Sequence, residues 1–184
     1  MPDKVRKFIY EMQYNFVILQ HQKQSHRMQV ISPIDLNRLN EAILASSRTA
    51  IVTHMKPDGD AAGSVTAMYH FLKTYTTASV TIILNDPFQR VLNFLVDKDM
   101  RKDISIYSED NKAAAEAIAQ ADTIICLDFN AFHRTDNLCS HLESSNAYKI
   151  LIDHHLFPDL GSFDIAFSEP EISSASELLY HILM

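Results

Sequence analysis

From about residue 32 onward, short apolar runs alternate with longer amphipathic segments. Residues 49–53, 79–84, 123–127 and 148–152 are compact runs rich in Ile, Val, Leu and Thr, which predicts buried strands. Residues 104–107 and 164–167 read as weaker strands. Between them lie helical segments over 61–75, 91–96, an Ala-rich 111–120, and 174–184, where Ser174 and Glu177 have capping-box spacing. Ser32 and Pro33 open an earlier helix, as cap and first helical residue, with Leu36, Leu39, Ile43 and Leu44 on its apolar face. Strand and helix signals in alternation predict an α/β fold: a doubly wound, mostly parallel sheet with helices on both faces. Residues 4–24 also read as helical but with mixed faces, so residues 1–31 are taken as an N-terminal helical extension and 32–184 as the domain proper. A translation start nearer Met28 is the other reading of that extension.

Composition narrows the picture. With 184 residues, 47% of them hydrophobic, the chain holds one ordinary core. A net charge of −7 argues against a broad electrostatic grip on long nucleic acid. The two cysteines, Cys126 and Cys139, form no metal or disulfide pattern, and Cys126 sits in an apolar strand as a packing residue. No signal-peptide layout and no apolar run of about 20 residues is present, which predicts a cytoplasmic protein without membrane contact. Of only three glycines, Gly59 and Gly63 fall in one short stretch, where a tight turn or a close approach to a ligand is expected.

That stretch, T-H-M-K-P-D-G-D-A-A-G-S from Thr53 to Ser64, follows the first strand. It places His54 at the strand end, and Asp58 and Asp60 on a loop that enters a helix near Ala61. Asp128 follows the strand ending at Leu127, and Asp153-His154-His155 follows the strand ending at Ile152. Charged ligands just past the carboxyl ends of buried strands stand where open α/β sheets place their sites. Imidazole and carboxylate together suit a divalent ion such as manganese, and a helix N-terminus suits a phosphate. Each residue alone reads more readily as a polar turn or a helix cap; three such groups at three strand ends favour ligands.

These motifs resemble those of the DHH-family phosphoesterases: T-H-x-x-P-D-G-D-A-x-G-S, a later strand-terminal Asp, and D-H-H, in order over about residues 36 to 184. The nearest likeness is to the bifunctional oligoribonuclease and phosphoadenosine-phosphate phosphatase (NrnA-like) branch. The helix start Ile172-Ser173-Ser174-Ala175-Ser176-Glu177-Leu178-Leu179-Tyr180 is similar to that branch too, with Ala175 where Thr is common. The resemblance implies a two-manganese phosphoesterase that cleaves short oligonucleotides (nanoRNA) or phosphonucleotides such as 3′-phosphoadenosine 5′-phosphate. His54 and Asp58 would hold one ion, Asp60 and His154 the other, and Asp128 would bridge them. Asp153 would orient its neighbours, His155 would face the scissile phosphate, and Arg134 would steady the Asp128 loop or the substrate.

Two departures qualify this. The chain stops at Met184 inside the apolar run Leu178-Leu179-Tyr180-His181-Ile182-Leu183-Met184, which suggests a truncated product. The family pattern has a further metal-two aspartate beyond that point, and then a C-terminal substrate-binding domain. The second manganese site is therefore expected to be incomplete and the activity of this chain weak. Alternative readings are a cyclic-dinucleotide phosphodiesterase, an inorganic pyrophosphatase, or a non-catalytic fragment that binds metal or a partner. A homodimer is one open arrangement.

Overall fold

The computed structural model describes residues 31–184; the helix expected over residues 4–24 lies outside the described residues. Helix α1 (Pro33–Ala45) begins as its sequence predicts, with the Ser32 hydroxyl accepting the Asp35 N–H at 3.4 Å. It buries Leu39 and Ile43 but leaves Leu44 exposed. The chain then runs through β1 (Arg48–Thr53), α2 (Gly59–Tyr75), β2 (Ser79–Leu84) and two 3-10 turns, Arg90–Leu95 and Met100–Asp103. β3 (Ile104–Ile106), α3 (Asn111–Gln120) and β4 (Thr123–Leu127) follow. After a 3-10 segment (Phe132–Leu138) come α4 (Cys139–Ser144), β5 (Tyr148–Asp153), β6 (Ile165–Ser168) and α5 (Ala175–Leu183).

The six strands form one all-parallel sheet in the order β3-β2-β1-β4-β5-β6. Alternate strand residues feed two cores, as the period of two demands. Ile51, Ile82, Ile125 and Ile150 face one side with Val65, Met68 and Leu72 of α2 and Leu178, Leu179 and Ile182 of α5. Ala50, Val52, Ile83, Ile124, Cys126 and Leu151 face the other with Ala114 and Ile118 of α3 and Leu142 of α4. Burial on both faces explains why these strands read as continuous apolar runs. Each fully buried Val, Leu or Ile contributes about 1.5–3 kcal/mol.

Chain order reverses between β1 and β4, its neighbour in the sheet. That reversal opens a crevice at the carboxyl ends of the strands. The pairing register aligns Thr53 with Leu127 and Leu127 with Ile152, so His54, Asp128 and Asp153 come next in line on three adjacent strands.

Four details differ from the sequence reading. The segment expected as a helix over 91–96 is a 3-10 turn. Phe132–Leu138 and α4 were not foreseen, because their apolar residues are too few to mark a period; Phe132, Leu138 and Leu142 are nevertheless buried. Helix α2 starts at Gly59, so Asp60 stands in its first turn and not on the preceding loop. Neither Gly59 nor Gly63 has a positive φ; a Cβ at Gly63 would come within 3.1 Å of the Ser176 hydroxyl, so the close approach is to α5.

Candidate metal centre

The crevice is held in register by the buried Thr53 hydroxyl, which donates to the Leu127 carbonyl at 2.8 Å. The chain then leaves β4 sharply. Asp128 has φ of 63°, a left-handed conformation that Asp tolerates better than most residues, and its N–H still donates to the Ile152 carbonyl at 3.1 Å. The result is a buried carboxylate at the centre of the sheet's edge, only 2% exposed.

His54 is almost as buried, and its Nδ1 sits 2.8 Å from its neighbour's Met55 carbonyl. That contact assigns the proton of the neutral ring to Nδ1 and leaves Nε2 as the nitrogen that could coordinate a metal. Nε2 lies 3.6 Å from Asp128 Oδ2 and 3.9 Å from Asp58 Oδ1. Asp58 is also the N-cap of α2: its Oδ1 accepts the N–H groups of Asp60 and Ala61 at 3.0 and 3.1 Å. Asp60 caps a different helix. Its Oδ2 accepts the Ala175 N–H and its Oδ1 the Ser176 N–H, both at 2.8 Å, at the start of α5.

On the other side of Asp128, His154 Nε2 lies 3.5 Å from Asp128 Oδ1 and 3.6 Å from Asp60 Oδ2. Asp153 is fully buried and grips His155 twice, accepting its backbone N–H at 3.0 Å and lying 2.7 Å from its Nδ1. The same Nδ1 lies 3.8 Å from Asp128 Oδ1.

Two sets of donor atoms therefore converge, His54–Asp58–Asp128 and Asp128–His154–His155, with Asp128 common to both. Asp60 is outside both sets although it adjoins His154. Electrostatics points the same way. Burial pushes the Asp128 carboxyl above its ordinary value, and the charges of Asp60 and Asp58 add to this against the pull of His54. Burial would lower His54, but contact with Asp128 and the Met55 carbonyl outweighs it, so the imidazole is raised. Asp128 Oδ1 is buried without a hydrogen-bond partner, an expensive condition for a carboxylate oxygen. Hard donors, excess negative charge and one orphaned oxygen between two imidazoles fit a divalent cation.

Sequence reasoning missed several supporting groups. Asn85 follows β2 as His54 follows β1, in the register that pairs Val52 with Ile83. It is buried; its Oδ1 accepts from Asn137 N–H and Nδ2, and its amide donates to Asp86 at 2.9 Å. Asp86 in turn accepts the Lys56 N–H at 3.1 Å, which steadies the His54 loop. The signal was present as a polar pair directly after a strand. Arg134 acts through its backbone: its carbonyl accepts the Met55 N–H at 2.9 Å, while its side chain is exposed and makes no ion pair among the described residues.

The profile described as the DHH family, N-terminal domain, matches residues 48–184. The chain belongs to the DHH family. Among solved structures, this DHH domain is similar to an exopolyphosphatase-related protein from Bacteroides fragilis, with 36% sequence identity and a TM-score of 0.79 over 85% of the chain. The chain spans 45% of that protein's length. No curated protein matches it. Family and likeness together give the chain the DHH-type α/β fold, and its strand ends carry histidine and carboxylate groups that could hold a metal. Among the described residues, no helix is long and apolar enough to cross a membrane.

Proposed function

We propose that this DHH domain is the metal-binding, catalytic part of a manganese-dependent phosphoesterase that acts on very short oligonucleotides or on phosphonucleotides such as 3′-phosphoadenosine 5′-phosphate. The observation that carries the reading is the buried, unpartnered Asp128 oxygen with His154 and His155 beside it, His54 across the same carboxylate, and Asp58 beyond. His54 and Asp58 would hold one ion, Asp60 and His154 a second, and Asp128 would serve both. Bound ions of this kind lower the pKa of a water and neutralise charge on phosphate oxygens.

The protein's own groups do the rest. Asp58 and Asp60 are fixed by helix N–H donors, so they need little reorganisation to hold a cation. Asp153, held 2.7 Å from Nδ1 of His155, sets that ring's tautomer and leaves Nε2 free. In its doubly protonated form, the Nε2–H of His155 would give a proton to a leaving ester oxygen or bind a phosphoryl oxygen. The net charge of −7 favours small substrates gripped at their phosphates over long strands held by a basic surface.

A second reading, hydrolysis of phosphoanhydrides, is favoured by the description of the Bacteroides protein as exopolyphosphatase-related. One assay separates the two. Mononucleotide release from a 5′-phosphorylated RNA dinucleotide, phosphate release from 3′-phosphoadenosine 5′-phosphate, and phosphate release from polyphosphate are compared with manganese and with chelator. Manganese-dependent cleavage of the nucleotides, abolished by Asp58→Ala, is the expected result. Cleavage of polyphosphate alone would replace the first reading by the second. No cleavage of any of the three by a manganese-loaded chain would overturn both for this chain.

A further inference from the structure

We propose that Ser176, at the start of α5, is a positioning residue that holds the Asp60 carboxylate for the cation it shares with His154. The inference rests on the metal-centre reading above but not on any substrate. Asp60 is a poor ligand by position alone. It lies outside both convergent donor sets, and both its carboxylate oxygens are already occupied by the N–H groups of Ala175 and Ser176 at 2.8 Å. Each oxygen retains one lone pair, and Oδ2 lies 3.6 Å from His154 Nε2. The direction of that remaining lone pair is set by where α5 begins.

Three further contacts fix that start. The Ser176 hydroxyl donates to the backbone carbonyl of Asp60 at 3.1 Å and shares a hydrogen bond with the Ser64 hydroxyl at 3.0 Å. It also abuts Gly63, where a Cβ would come within 3.1 Å of its oxygen. Ser176 thus ties α5 to both ends of the first α2 turn, across 116 residues of sequence. A side chain at Gly63 would crowd the Ser176 hydroxyl and push it off its partners by a few tenths of an ångström, and removal of the hydroxyl would untie the helices. Either change displaces the Asp60 carboxylate without altering it.

The experiment measures manganese binding to the full chain by the paramagnetic resonance signal of free manganese, alongside apo-protein melting temperature. Variants are Ser176→Ala, Gly63→Ala, the two combined, Asp60→Ala, and Asp60→Ala with Ser176→Ala. Ser176→Ala is expected to weaken one manganese about 10-fold, the low end for loss of an outer-sphere partner, and to leave the other unchanged. Gly63→Ala should do the same. Combining them should recover melting temperature, because the methyl occupies the space of the lost hydroxyl, but should not recover manganese affinity. Ser176→Ala added to Asp60→Ala should weaken binding no further.

Unchanged manganese binding in Ser176→Ala would overturn the proposal. So would equal weakening of both ions in step with melting temperature, since that is a purely structural role. If Asp60→Ala leaves binding unaltered, Asp60 is only a helix cap and the proposal fails with it. Absence of hydrolysis in a chain that shows the expected manganese pattern would overturn the phosphoesterase reading and leave the role of Ser176 standing.

Discussion

Asp58 and Asp60 are two residues apart, yet they cap two different helices. Asp58 caps α2, whose first residue is the next in sequence, and its side chain is 62% exposed. Asp60 caps α5, 115 residues away, and its side chain is 18% exposed. One carboxylate is oriented by local backbone geometry, the other by the closure of the whole domain. The two halves of the candidate metal centre should therefore differ in how they fail: the His54–Asp58 side through its ligands, the Asp60–His154 side also through packing.

The largest effect belongs to the group common to both halves. Asp128→Asn keeps shape and tolerates the left-handed backbone at φ of 63°. It removes the charge shared by both donor sets. Manganese affinity at both positions should fall by more than the roughly 10- to 100-fold usual for outer-sphere changes, and hydrolysis should be lost. The apo protein should melt no lower than the native chain, because a buried carboxylate with an orphaned oxygen gives way to a neutral amide. Full manganese binding and hydrolysis in this variant would remove Asp128 from its bridging role and dissolve the comparison.

His155→Ala comes next. With Nδ1 committed to Asp153, the ring is placed to serve the reacting phosphate more than to hold an ion. Turnover should fall about 100- to 10,000-fold, the span typical of a lost acid–base group, with manganese binding nearly intact. Loss of an ion instead would make His155 a ligand, as the Asp128–His154–His155 set also permits.

The sequence disclosed the halves unequally, for the same reason. Strand ends at His54, Asp128 and Asp153 were legible because parallel strands buried on both faces read as apolar runs, and the polar residue that ends each run stands out. A doubly wound, mostly parallel sheet followed from strand–helix alternation; the strand order and the parallel pairing of all six strands did not. An aspartate cap was legible as a local pattern, but the helix was expected from Ala61, and its start at Gly59 gives the cap to Asp58. The contact of Asp60 with Ala175 and Ser176 was not, since nothing in the spacing of residues 60 and 176 predicts that α5 begins beside Asp60. Asn85 was legible and passed over: a buried amide after β2 has the same strand-end signature as the ligands, without their charge. The 3-10 segment Phe132–Leu138 had no periodic signal, and its Asp136 lies at a positive φ of 52° that no pattern announces.

A smaller effect tests the local and remote caps directly. In metal-free protein, Asp58→Ala loses an ordinary N-cap and should cost about 1 kcal/mol by denaturant unfolding. Asp60→Ala leaves two part-buried N–H groups without partners and should cost about 2–3 kcal/mol. Both substitutions also relieve repulsion with Asp128, Asp60→Ala the more, so their difference is a lower bound on the remote contact. Equal costs would mean that α5 docks without Asp60.

The smallest expected effect is the sharpest control. Ser174 caps α5 locally: its hydroxyl accepts the Glu177 N–H at 3.0 Å. The Glu177 carboxylate returns to the Ser173 N–H at 3.2 Å, one residue short of the reciprocal contact that a capping box makes. Ser174→Ala should lower stability by about 1 kcal/mol and leave manganese affinity at both positions unchanged, because the Ser174 hydroxyl accepts the Glu177 N–H and touches neither of the N–H groups that hold Asp60. That outcome, set against the manganese loss expected of Ser176→Ala two residues on, would separate the helix as a packed element from the contact that aims its ligand. Manganese weakened to the same degree by Ser174→Ala would mean that any loosening of α5 reaches Asp60, and that its carboxylate is held by the helix as a whole.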